Sequence, residues 1–483
     1  MNIRLRESEP KRILIVNRGE IASRVAKACR ELGHTAVGIF TDNEMNAAHL
    51  EFCDEWIHMK GSTNAETYLN VEGLLKIIKD NNIDGVHPGY GFLSENGAFA
   101  KTLEKEGVAF IGPHAEAIRV MGDKATSKAL ARDAGVPVVP GTAEAVPTVE
   151  KALEVAQEIG YPVLLKAVAG GGGRGMRACL NDEEVKAQFE AVGREAVSAF
   201  GNGDLLVEKL IVNPHHIEVQ IMADKNGNVF HFYERECSIQ RRHQKIVEEA
   251  PSPFIGEDEE LRKRICDTAV KLAKAVNYDS AGTVEFIMGE DKNFYFLEMN
   301  TRIQVEHPIT EEITGADLII CMIQSAFGED LQIPSQEWIK KTGHAIECRI
   351  CAEDPITMLP APGKVTGFET NFPQGVRFDH CLYRGLDVTP DFDPMVGKLV
   401  AKGLVRDVAI RKMRAALDGL YIEGLKNNIP LHKVIMDEEE FREGSYTTDY
   451  IKKVAPQERI NTDVDFGSVY KKLAAAEARN MGM

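Results

Sequence analysis

Apolar residues are distributed along the chain with two periods. Arg12-Ile-Leu-Ile-Val16 and Thr35–Phe40 are short apolar runs, and Gly85–His87 and Val108–Ile111 are shorter ones. Between them, Ile21–Leu32 (closed by Gly33), Leu69–Lys79 and Phe99–Glu106 read as helices. Short apolar runs alternating with helices predict a parallel sheet covered on both faces. The first turn, Asn17-Arg18-Gly19-Glu20, holds one glycine rather than G-x-G-x-x-G, so a dinucleotide is not indicated.

Further along, a helix over Val149–Ile159 stops at Gly160, with Pro162 beyond. A strand, Val163–Val168, follows and runs into four glycines. The stretch Gly203–Gly289 reads as strand-rich, interrupted by a helix over Glu259–Asn277 with Leu261, Ile265, Leu272 and Val276 on one stripe. Asp317–Phe327 reads as a short helix, and His344 to Val454 as strands punctuated by Gly and Pro. The expected division is 11–121, 122–343, 344–454, and an Ala-rich, helical tail 455–483.

Composition narrows the class. A chain of 483 residues is long enough for about three domains. Hydrophobic residues at 44% and charged residues at 27% exclude disorder and collagen-like structure. With 57 basic and 74 acidic residues the net charge is −17, so nucleic acid is not an expected partner, and an anionic substrate needs a local basic pocket. Nine scattered cysteines suit a reducing compartment, and Cys348-x-x-Cys351 without a second pair does not indicate zinc. Met1–Arg12 is charged and lacks the apolar segment of a secretory signal. The longest apolar stretch, Leu318–Ile323, is far short of the roughly 20 residues of a membrane span. A cytoplasmic protein with no membrane partner is expected.

Four segments carry candidate chemistry. Gly170–Gly173, Arg174 and Gly175 follow the strand containing Lys166. A lone glycine run is read first as a surface turn. Beside a lysine in an apolar strand, it favours a phosphate approached by backbone N–H groups. Thr283–Met288 and Phe294–Met299 flank the turn Glu290–Asn293; a four-residue loop sets Gly289 opposite Phe294 and Glu285 opposite Glu298. Two carboxylates so close repel unless a cation lies between them, which favours Mg2+ or Mn2+ over an exposed strand face. If the same strand stays extended to Glu306, one face carries Glu298, Asn300, Arg302, Gln304 and Glu306, before His307-Pro308 breaks it. Cys237–Lys245, containing Gln240, Arg241, Arg242, His243 and Lys245, fits a pocket for phosphate or a small carboxylate.

Together these residues closely resemble biotin carboxylase, an ATP-grasp enzyme. The matching strings are Asn17–Ala22, His87–Asn96, Met121–Lys124, Gly170–Met176, Arg241–Lys245, Glu298–Pro308 and Cys348–Ile350 followed by Ala352–Pro355, in order over about residues 11 to 455. The resemblance implies an α/β fold: a doubly wound, Rossmann-like N-terminal domain, a central ATP-grasp domain with a mobile lid over 142–212, and a mixed C-terminal domain. It implies that Lys124, Lys166, Gly171, Gly172, Gly173, Met176, Glu208, Lys209, Leu210, His216, Gln240, His243, Ile287, Glu285 and Glu298 bind ATP. Glu285, Glu298 and Asn300 would hold two Mg2+ or Mn2+ ions. Lys245, Arg302, Gln304 and the Val305 backbone would hold bicarbonate, with Glu306 as general base. Tyr90, Gly91 and Arg349 would face biotin. Homodimers are common in the family, with Arg24 and Glu31 at expected dimer contacts. No Met-Lys-Met occurs, so biotin is expected on a separate carrier protein, with a carboxyltransferase as further partner. Acetyl-CoA carboxylase, hence fatty acid biosynthesis, is the first expected parent; a two-subunit pyruvate carboxylase, or another ATP-grasp ligase, is the alternative.

Overall fold

The computed structural model describes residues 9–142, 144–168, 175–200, 202–242 and 244–460. Gly170–Gly173, His243 and the tail beyond 460 lie outside these residues. The N-terminal strands pair in parallel in the order Glu55–His58, Thr35–Phe40, Arg12–Ile15, Gly85–His87, Ala109–Phe110. Consecutive residues of the central strand serve opposite cores, which is why its sequence is apolar throughout. Ile13 and Ile15 pack with helix Gly19–Glu31 and helix Leu318–Ala326. Leu14 and Val16 pack with helices Val71–Asp80 and Gly97–Lys105.

The order of this sheet reverses beside Arg12–Ile15, where the chain first goes to one neighbour and later returns to the other. Such a switch point opens a crevice at the carboxyl ends of the strands. The turns after Arg12–Ile15 and Gly85–His87 meet there. Asn17 ties them together by donating to the carbonyls of Pro88 (2.7 Å) and Tyr90 (2.8 Å).

The second sheet has eight antiparallel strands in the order Phe294–Asn300, Ala281–Met288, His215–Ala223, Val229–Arg241, Gln244–Ala250, His344–Cys351, Met395–Gly403, Val376–His380. One face is apolar. Ile217, Val219, Val284, Phe286 and Met299 pack on helix Glu259–Ala275, capped by Asp258. Val247, Cys348, Ile350 and Leu399 pack on helices Arg406–Gly419 and Ile429–Asp437. The alternate positions point the other way, and they are charged or amide-bearing: Glu218, Gln220, Glu285, Glu298, Asn300, Glu248, Glu347, Arg349 and Lys398. Between the two sheets the chain inserts a smaller unit with its own core. Strands Val163–Ala167, Met176–Cys179 and Leu205–Lys209 pack there with helices Val149–Ile159 and Asp182–Phe200.

The expected hairpin is present with a different construction. Met288, not Gly289, pairs with Phe294, so the loop is one residue longer than expected. A bulge at Leu297 then restores the count, and Glu285 does oppose Glu298. The extended reading to Glu306 does not hold. The strand ends at Asn300, and His307-Pro308 open helix His307–Thr314 rather than merely breaking a strand. Backbone groups after Asn300 find partners off the sheet. Thr301 N–H donates to Glu95 (3.1 Å), and the Val305 carbonyl accepts from Lys398 Nζ (2.9 Å). The fixed φ of Pro308 suits the first helical turn.

Beyond the charged face, Glu249 is a fully buried clamp. It accepts from Arg406 Nε (2.7 Å) and Nη2 (2.9 Å), from Tyr446, and from His344. Burial alone raises this carboxyl, but Arg406 and His344 overcome it and hold the group down at about 2. A depressed carboxyl contributes stability that is complete above its unfolded value of about 4 and is lost as pH falls through its folded value. Glu249→Gln should therefore destabilise the protein at pH 7 by about 3–5 kcal/mol, since it strands Arg406. The gap in melting temperature from the parent protein should be constant from pH 8 to 5 and narrow below pH 4. A gap independent of pH would show that Glu249 acts by packing alone.

Candidate functional site

Strand pairing sets a row of charge across the large sheet. Arg235 pairs with Glu218, Glu218 with Glu285, and Glu285 with Glu298, each directly opposite its neighbour. Carboxylates that close cannot coexist in a buried setting without cations. Lys245 supplies the main one. Its Nζ donates to Glu306 (2.6 Å), Glu285 (3.1 Å) and Glu218. His216 Nε2 lies 3.0 Å from the other oxygen of Glu285. Arg235, fully buried, donates to Glu218, Gln220 (2.7 Å) and Thr283 (3.1 Å), and to Gln304 (2.7 Å). Gln304 and Asn300 in turn each donate to Glu285 at 2.8 Å.

The charges set one another's proton affinity. Burial raises the Glu285 and Glu306 carboxyls, but Lys245 together with His216 at Glu285 and with Arg349 at Glu306 outweighs it and holds both well below the usual range. Burial lowers the Lys245 ammonium, but its three carboxylates drive it well above its ordinary value. Arg349 donates to Glu306 (3.0 Å) and Glu248 (2.6 Å). Burial raises Glu248 to about 7 against the pull of Arg349. Burial and then Glu248 push Glu347 well above the carboxylate range; among the described residues neither of its oxygens has a hydrogen-bond partner.

Two clefts meet at this cluster. The larger, about 820 Å3, is lined by Lys124 and Lys128 of helix Lys124–Asp133 and by Lys166 and Glu208 of the inserted unit. The large sheet and the segment after Asn300 complete it with His216, Gln240, Lys245, Glu285, Glu298, Asn300, Arg302, Gln304, Val305, Glu306 and Arg349. Ile287 lines an adjoining recess that shares His216 and Gln240. The smaller cleft, about 350 Å3, lies at the switch point and is lined by Asn17–Ile21, Tyr90, Gly91 and Phe92, sharing Val305 and Arg349 with the first.

Most of the residues expected from the sequence come together here. Lys166 reaches Glu208 (3.4 Å), as does Lys128 (3.2 Å). Arg302 donates to Glu95 (2.9 Å) and Asn300 (2.9 Å). Met176, Lys209 and Leu210 do not line the clefts. Lys209 donates to the carbonyls of Gly160 (2.9 Å) and Tyr161 (2.7 Å), tying down the end of a helix. Arg24, expected at a dimer contact, is buried within the chain against Glu311 (3.0 Å) and Asp317 (2.6 Å), while Glu31 is exposed. Sequence reasoning missed Glu218, Arg235, Lys128, Glu95 and Lys398. A signal existed for Glu218, a charged residue set between the apolar Ile217 and Val219 in strand His215–Ala223.

The cluster also suits a divalent cation. Glu298 makes no hydrogen bond or ion pair among the described residues, and burial followed by repulsion from Glu285 raises its carboxyl. A surplus of hard oxygen donors at the cleft wall is the donor set that Mg2+ or Mn2+ takes.

Known proteins match this chain along most of its length. Residues 9–118 match the model for the biotin carboxylase N-terminal domain, and residues 347–453 that for its C-terminal domain. Residues 123–334 match the carbamoyl-phosphate synthase L chain ATP-binding domain. Biotin carboxylase 2 of Bacillus subtilis is 46% identical over 442 residues, 92% of this chain and 99% of that protein. The 2-oxoglutarate carboxylase small subunit of Hydrogenobacter thermophilus is 48% identical, covering 92% of this chain and 93% of its own. The biotin carboxylase domain dimer of that same carboxylase, solved with MgADP, ADP and bicarbonate, is likewise 48% identical. It superposes with a TM-score of 0.82 over 92% of this chain and 98% of that one. Likeness at this level along nine-tenths of the sequence makes the chain a member of the biotin carboxylase family, ATP-dependent carboxylating ligases.

Proposed function

We propose that this protein carboxylates the ureido nitrogen of biotin, presented on a separate carrier protein, using ATP and bicarbonate. The observation that carries the reading is Lys245 and Arg349 converging on the two oxygens of Glu306, at the junction of the two clefts. ATP is assigned to the larger cleft, with its phosphates toward Lys124 and Lys166 and its base toward the recess with Ile287. Gly171–Gly173, on the inserted unit, are assigned to cover the phosphates when that unit closes and excludes water. Bicarbonate is assigned to Lys245, Arg302, Gln304 and the Val305 backbone, and biotin to the switch-point cleft beside Tyr90 and Gly91. Glu285 and Glu298, with Asn300 near them, are the residues that would hold Mg2+ or Mn2+, which supplies charge neutralisation for the transferring phosphoryl group.

Glu306 removes the bicarbonate proton, and the freed oxygen attacks the γ-phosphorus as the bond to ADP breaks. Held by two cations, Glu306 is a weak base before substrate binds. An arriving bicarbonate competes for Lys245 and brings its own negative charge, and both raise the proton affinity of Glu306. Carboxyphosphate splits to CO2 and phosphate, phosphate takes the biotin N1′ proton, and the nitrogen attacks CO2. Arg349 offsets the charge that develops on the ureido oxygen.

The carboxyl acceptor belongs to the partner carboxyltransferase. Acetyl-CoA is the first reading. A 2-oxo acid is the second, favoured by 47–48% identity to subunits of pyruvate and 2-oxoglutarate carboxylases. The carboxyltransferase that co-purifies with the chain, assayed with both acceptor classes, decides between them. A homodimer is also proposed, as in the Hydrogenobacter relative.

The purified protein should release phosphate from ATP only with Mg2+ and bicarbonate present, and faster with biotin; release indifferent to both bicarbonate and biotin would exclude the reading. Glu306→Gln should lose about 10²–10⁴-fold in bicarbonate-dependent ATP cleavage and in carboxybiotin together. Arg349→Ala should keep much of the cleavage while losing carboxybiotin, measured side by side. Equal loss of both outputs in Arg349→Ala would overturn the order of events. Glu298→Gln should raise the Mg2+ needed for half-maximal cleavage and leave the melting temperature in EDTA unchanged. A drop of many degrees in EDTA would make Glu298 structural.

A further inference from the structure

Lys398 lies on strand Met395–Gly403 with no exposed surface, and it lines neither cleft. A buried ammonium is costly unless strong partners surround it. Its partners are all in the wall of the switch-point cleft. Nζ donates to the carbonyl of Val305 (2.9 Å) and lies 3.1 Å from a carboxylate oxygen of Glu20. The Tyr90 hydroxyl donates to the other oxygen of Glu20, and Lys398 Nζ lies 5.8 Å from the centre of the Tyr90 ring. Across the sheet, Lys398 pairs directly with Arg349. Glu20, Tyr90, Val305 and Arg349 come from separate parts of the chain, and one side chain contacts or adjoins each of them from behind.

Val305 faces both clefts, whereas Glu20 and Tyr90 face only the smaller one. An ammonium bonded to both ends therefore makes one rigid piece of the bicarbonate-holding segment and the biotin-facing wall. The bond from Lys398 to the Val305 carbonyl fixes the peptide orientation of the segment that carries Gln304, Val305 and Glu306.

We infer that Lys398 is a positioning residue that couples occupancy of the biotin cleft to the bicarbonate segment, so that ATP cleavage accelerates when biotin is seated. The inference rests on the function proposed above. It assigns the coupling to a residue that touches neither substrate.

The test uses full-length protein with free biotin as probe. Lys398→Met keeps the length of the side chain and removes its charge and hydrogen bonds. Lys398→Arg keeps the charge, and Tyr90→Phe keeps the ring and loses the bond to Glu20. Misplacement of a reacting group by about 1 Å can cost about 10²-fold. Lys398→Met should lose most of the biotin stimulation of ATP cleavage and raise KM for bicarbonate by about that factor. ATP affinity by calorimetry should be unchanged. Lys398→Arg should restore part of the stimulation, and Tyr90→Phe should weaken it partly.

Full stimulation with an unaltered bicarbonate KM in a folded Lys398→Met overturns the inference. A parallel fall of ATP affinity, KM and kcat overturns it too, because that is a structural effect. If Lys398→Met does not fold, the decision passes to Lys398→Arg and Tyr90→Phe, and wild-type coupling in both overturns it. Absence of bicarbonate-dependent cleavage in the parent protein would instead overturn the function on which the inference rests.

Discussion

Lys245 is the residue on which the centre of this protein depends. Three buried carboxylates, Glu218, Glu285 and Glu306, come from two strands and the segment after a third, and its ammonium is the one cation that all three share. Even so, acid outnumbers base on the charged face. Arg235 serves Glu218, Arg349 is shared between Glu306 and Glu248, and Lys398 is shared between Glu20 and a carbonyl. Burial, against the pull of Arg349, raises Glu248 to about 7, and burial followed by repulsion from Glu248 raises Glu347 well above the carboxylate range. A site built with surplus negative charge is prepared for a metal, and one whose cations are already committed to internal carboxylates is prepared for exchange. On the function proposed above, substrate anions take over cations that the protein already holds in place, which costs little reorganisation.

The remainder of the fold serves to bring three chain segments to that face. The parallel sheet contributes its switch-point turns, the inserted unit contributes Lys166 and Glu208, and the C-terminal strands contribute Arg349 and Lys398. The large sheet runs without interruption from strand Gln244–Ala250 into strand His344–Cys351. A strand pairing therefore joins the two halves of the catalytic face, so their geometry is set by backbone hydrogen bonds rather than by a hinge. The inserted unit, with a core of its own, is the part that could change position without disturbing that face.

Much of this was legible in the sequence. Continuous apolar strands pointed to the doubly wound sheet because both of its faces are covered. The opposition of Glu285 and Glu298 was read correctly from a wrong loop length, because a bulge at Leu297 cancelled the error. Alternation failed after Asn300 because Glu95 and Lys398, distant in sequence, capture the backbone there and turn it off the sheet. Lys398 stands among apolar neighbours with no local sign of a partner, and Arg235 stands between Glu234 and Glu236 yet bonds its side chain to neither. Their roles depend on which strands lie beside them, and one-dimensional spacing carries no record of that. The partners of Arg24 were hidden for the same reason, since Glu311 and Asp317 approach it from almost three hundred residues away.

The central claim is that Lys245 holds Glu306 in reserve and releases it to bicarbonate. A crystal structure of this protein with bicarbonate and a non-hydrolysable Mg–ATP analogue tests it most directly. The account predicts the anion bonded to Lys245 and Arg302, within hydrogen-bond reach of Glu306, with the 2.6 Å contact between Lys245 and Glu306 lengthened or lost. Bicarbonate bound elsewhere, with Lys245 still closed on Glu285 and Glu306, would contradict it.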